Sequence, residues 1–143
     1  MDGTIVASGK IPSFEYVTTK YMEEVIHRIK VTGRIDLAAR LPLYHATLAA
    51  NPSCNYFCIL DNSGGYENVF SYPDIVVLDK LLIESGIEHF YGATITIDPA
   101  YPDLVKLANY NAKASKLQGD LMATFDPDEA EKFIQEKISS LVG

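Results

Sequence analysis

The stretch Leu60–Asp74, LDNSGGYENVFSYPD, comes nearest to carrying chemistry in this chain. Asn62, Ser63, Gly64 and Gly65 stand together where the chain leaves an apolar run, and Ser71 follows shortly before Asp74. A phosphate cradle, a nucleophile turn, a phosphorylated switch and a plain connector are all open to such a segment. A cradle needs glycine-supported N–H groups aimed at an anion, with a lysine or a helix N-terminus behind them. Gly64-Gly65 is present, but G-K-[ST] and G-x-G-x-x-G are not. A nucleophile elbow needs G-x-S-x-G, and Ser63 sits in N-S-G-G without the preceding glycine. No spacing ties His27, His45 or His89 to Ser63, and His27 shares the face of Val25, Ile29 and Val31, as a core residue would. The chain therefore reads as non-enzymatic, with no cofactor.

Ser71 has a local role of its own. Ser-x-x-Asp with Pro73 in the first turn is a helix start, with the serine hydroxyl accepting from a backbone N–H near Asp74. Asp98 and Asp126, each followed by proline, read as N-caps in the same way. In open α/β sheets ligands gather beyond the carboxyl ends of the strands. The loops after Leu60, Ile97 and Phe125 would bring Asp61, Asn62, Ser63, Asp98, Tyr101 and Asp126 to that edge.

Cys54 and Cys58 are the only cysteines. On one strand, four residues apart means roughly 13 Å between Cα atoms, beyond the roughly 7 Å that a disulfide spans. Two thiols with no further ligands make no metal site. They read as free, buried groups.

Those residues must be held by a scaffold, and the composition bounds it. The chain has 143 residues, 48% of them apolar, enough for one core in a single domain over residues 1–143. Twelve Lys and Arg against 19 Asp and Glu leave a net charge of −7 with no basic cluster, which speaks against nucleic acid or an anionic membrane as partner. The N-terminus lacks a basic and then apolar leader, and the longest apolar run, Ile75 to Ile83, is broken by Asp79 and Lys80. A soluble, cytoplasmic protein without an integral membrane segment is expected.

Ser13 to Lys20 is rich in aromatic and β-branched residues, and Val25, His27, Ile29 and Val31 alternate with polar neighbours; together they predict an antiparallel hairpin. Asp36 caps a helix with Leu37, Leu41, Tyr44 and Leu48 inward, in which Pro42 fits best near the start of the regular turns. Tyr56 to Leu60 is apolar on both faces, as an interior strand is. A helix from Ser71 buries Ile75, Leu78, Leu81 and Leu82 and stops at Gly86. Tyr91 to Ile97 is a strand, and Asp98 opens a helix with Leu104, Leu107 and Ala108 that Gly119 follows. Leu121 to Phe125 is the last strand. Asp126, Pro127 and Glu129 open the last helix, which buries Ala130, Phe133, Ile134, Ile138 and Leu141. The order β-β-α-β-α-β-α-β-α predicts an α/β domain: a mixed, mostly parallel sheet of about five strands, begun by a hairpin and covered by about four helices.

From about residue 13 to 141 the chain resembles the STAS-like superfamily, in particular its SpoIIAA-like branch, which is also similar to Sec14-type lipid-binding domains. The resemblance rests on IHRIKVTGRID, on NYFCILDNSGG leading into FSYPDIVVLDKLL, and on MATFDPDEAEKFI. It implies a non-catalytic regulatory or partner-binding module. Anti-sigma-factor antagonists of this family are switched by phosphorylation of a serine at the start of the helix after the central strand. The counterpart here is Ser71, with Ser63 second, and Asp61, Asn62, Tyr72 and Asp74 complete the implied regulatory and partner-binding surface. The family's Asp-Ser-Ser-Gly type motif is replaced by FSYPD. The SpoIIAA-like branch also lacks that motif, and for it the resemblance implies either a partner protein or a small hydrophobic, lipid-like ligand. A homodimer is compatible with either.

Overall fold

The computed structural model of the protein describes residues 3–69, 71–98 and 117–142. Its first strands are β1 (Ile5–Ile11), β2 (Phe14–Tyr21) and β3 (Glu24–Val31), followed by α1 (Leu37–Ala49) and β4 (Asn55–Asn62). Next come α2 (Tyr72–Glu84), β5 (His89–Thr96), β6 (Gln118–Thr124) and α3 (Pro127–Val142). The helix expected after Asp98, with Leu104, Leu107 and Ala108, lies outside the described residues, as does Tyr101.

Six strands form one sheet in the order β1-β2-β3-β4-β5-β6. The first three pair antiparallel through two-residue turns in which Ser13 and Met22 take left-handed conformations. From β3 onward every pairing is parallel, and Tyr56–Leu60 is interior as expected, with β3 on one side and β5 on the other. The strand absent from the sequence reading is β1. Its IVASGKI pattern includes Ser8 and Gly9, and as an edge strand it leaves Ile5 and Val6 exposed.

The pleat of β4 divides the core. Tyr56, Cys58 and Leu60 face one layer with Phe14, Ile29, Leu43 of α1 and Leu82 of α2. Phe57 and Ile59 face the other, with Ile26, Ala93, Ile95 and the α3 residues Ala130, Ile134 and Ile138. Each of the buried Leu, Ile and Phe side chains contributes roughly 1.5–3 kcal/mol of burial. A bidentate pair between Arg28 of β3 and Glu131 of α3, at 2.9 and 3.0 Å, fixes the second layer laterally.

Several details differ from expectation. α1 starts at Leu37, with the Asp36 carboxylate accepting from the Ala39 N–H at 2.9 Å, so Pro42 sits inside it. Its buried stripe is Arg40, Leu43 and Thr47, with Ala39, Tyr44 and Leu48 beside it. Two polar residues enter that stripe because each finds a partner: Arg40 donates to Asn68, and Thr47 bonds the Leu43 carbonyl and the Tyr56 hydroxyl. In α2 the fourth buried position is Asp79 and Leu81 is only partly covered. Gly119 lies within β6, and Leu141, in the last turn of α3, is 40% exposed.

Candidate functional site

β4 ends where the loop singled out in the sequence begins, and the loop closes on itself. The Asp61 carboxylate accepts from the Ser63 N–H at 2.9 Å. Buried Asn62 brackets Tyr66: its oxygen accepts from the Tyr66 N–H and its amide donates to the Tyr66 carbonyl, both at 3.0 Å. Gly65, at φ 74°, donates its N–H to the Asn62 carbonyl at 3.1 Å. The Ser63, Gly65 and Tyr66 N–H groups are thus already engaged, and a phosphate cradle needs them free. The glycines serve the turn.

Residues 67–69 then run beside Ile35. The Ile35 N–H donates to the Glu67 carbonyl and the Val69 N–H to the Ile35 carbonyl, each at 2.8 Å. Arg34 pairs with Glu67 and, at 2.9 Å, with Asp36; Arg40 donates to Asn68 at 2.6 Å. The loop is therefore tied to the segment entering α1.

Ser71 is the N-cap of α2. Its hydroxyl accepts from the Asp74 N–H at 3.4 Å, and the Asp74 carboxylate accepts from the Ser71 N–H at 3.3 Å, a reciprocal box with Pro73 in the first turn. Of the six site residues read from the sequence, Asp61, Asn62 and Ser63 lie at the end of β4, and Ser71, Tyr72 and Asp74 at the start of α2. Ser63, Ser71 and Tyr72 are exposed, whereas the Asn62 side chain is buried.

The sequence reading missed the outward face of α2. A helix on a protein surface ordinarily turns an apolar stripe inward and a polar face outward. In α2, Ile75, Leu78 and Leu82 are buried, but so is Asp79, while Tyr72, Val76, Val77 and Ile83 are 40–49% exposed. Tyr66 and Val69 in the preceding loop are exposed too. The signal was present in YPDIVVLDKLLIE, which is apolar all round apart from Asp74, Asp79, Lys80 and Glu84.

At the carboxyl edge, β5 and β6 end in the same device. The Thr96 hydroxyl accepts from the Asp98 N–H and the Thr124 hydroxyl from the Asp126 N–H, both at 3.0 Å, and each turn holds out an apolar residue, Ile97 or Phe125. Asp126 also caps α3 by accepting from the Asp128 N–H at 3.0 Å. An open depression of about 310 Å³ lies there between Thr96, Thr124, Phe125 and Glu129. The strand order never reverses across this sheet, and it is at a reversal that an α/β sheet opens a ligand crevice.

Polar groups also gather at the opposite edge. Glu24 accepts from the Ser53 hydroxyl at 2.7 Å and the Asn55 amide at 2.9 Å, and Asn55 Oδ1 accepts from His89 Nδ1 at 2.9 Å. These groups satisfy one another and pin the entrance of β4 and β5 to β3. The tyrosine of NYFCIL is core: Tyr56 is fully buried and lies parallel to Phe90 at 5.0 Å.

No family model and no curated protein matches the chain. Among solved structures it is similar to an uncharacterized protein from the DUF3478 family with a SpoIIAA-like fold, from Shewanella loihica PV-4. The TM-score is 0.55 at 15% identity, covering 90% of this chain and 98% of that one. The likeness shows a SpoIIAA-like fold.

Proposed function

We propose that this chain is a non-catalytic partner-binding module that docks through the outward face of α2 and the loop leading into it. One observation carries the reading: α2 leaves Tyr72, Val76, Val77 and Ile83 in water while burying Asp79. Tyr72 and Val76, four residues apart, share one side of the helix, and exposed apolar surface that adjoins in this way marks interaction sites. Ser71 caps the end of that face next to Tyr72, so modification of its hydroxyl would place charge on the rim of the contact. Among the described residues, the polar groups of the strand ends bond one another, and no acid–base or nucleophile set is assembled. The fold likeness agrees with such a role, since the same architecture in the STAS-like superfamily serves protein regulation.

The test is affinity capture from the native host with three baits: the wild type, Val77→Asp and Ser71→Asp. Val77 is exposed, so Val77→Asp should melt within a few degrees of the wild type. Partners held by the wild type should be lost from the Val77→Asp bait and altered on the Ser71→Asp bait. Recovery of one unchanged set by all three would overturn the surface assignment.

A further inference from the structure

We draw no further inference here: the strongest candidate, the outward face of α2 with its exposed Tyr72, Val76, Val77 and Ile83, belongs to the surface already described, and nothing in the structure shows what covers it.

Discussion

The imidazole of His27 stacks on the ring of Tyr56, with 4.7 Å between centroids and 28° between planes. Asn51 fixes its tautomer. The Asn51 amide nitrogen donates to the Ser53 and Asn55 carbonyls at 2.8 and 2.9 Å, so its oxygen is left to accept from Nε2–H at 2.9 Å. Nδ1 then accepts from the buried Thr18 hydroxyl at 2.8 Å. A neutral, fully bonded imidazole thus sits inside the sheet's α1 face.

Burial lowers the His27 pKa from 6.5 to about 4, against a smaller upward pull from the Asn51 bond. Between those values the unfolded chain binds a proton that the folded one refuses, so stability should fall as pH drops from about 6.5 to about 4. The full loss is about 3 kcal/mol. Urea melts at pH 7, 5.5 and 4.5 measure it. His27→Gln should be less stable at pH 7 but show a shallower decline, and an equal slope in both proteins would remove His27 as the cause.

Ser71 makes a cap whose two bonds are long, 3.4 and 3.3 Å. Ser71→Ala should therefore cost about 0.5 kcal/mol, the lower end of the range for cap removal. Ser71→Asp should melt within a degree or two of the wild type, because aspartate also caps. A loss of several kcal/mol in either variant would mean that the serine has buried partners beyond the cap.

Cys58 is buried, and burial pushes its thiol up to about 12; the Cys54 thiol is also raised, chiefly by its hydrogen bond with Glu88. Neither should react quickly as a thiolate at pH 7. Folded protein treated with a thiol reagent should modify Cys58 only on unfolding, and denatured, non-reduced protein should show two free thiols. Rapid labelling of Cys58 would mean that the centre of the sheet opens.

A Cβ at Gly119 would lie 1.8 Å from the Phe90 carbonyl oxygen, at a backbone φ of 142°. The clash is with the backbone of β5, which cannot rotate away. Gly119→Ala should cost about 3 kcal/mol or more, among the larger single-site effects, and lower the melting temperature by roughly 10 °C. Gly86→Ala, also at positive φ but with open space around it, should cost about 1 kcal/mol from backbone strain alone. Equal losses would show that the strand contact contributes nothing.

Patterned segments were legible in the sequence. β2, β3 and the interior position of β4 follow from alternation and from YFCIL, and the capping box follows from Ser71-x-x-Asp74 because cap chemistry is local. β1 was not legible, since an edge strand with little to bury need not alternate cleanly. The rotation of α1 was missed because Arg40 and Thr47 are buried by partners distant in sequence, Asn68 and Tyr56. Of the site, the loop and the cap could be read; the bare face of α2 could not, because which apolar residues stay in water depends on packing.

The unbroken strand order has a consequence for biosynthesis. Each strand lies beside the one made just before it, so pairing can advance from the N-terminus as the chain emerges, with no strand waiting for a distant neighbour. α3 is the exception. Until it arrives, Ile26, Phe57, Ile59, Ala93 and Ile95 have no cover from it on their side of the sheet. The nascent chain should therefore present this second face to chaperones late in synthesis, and a chain stopped before Pro127 should aggregate through it even though all six strands are present.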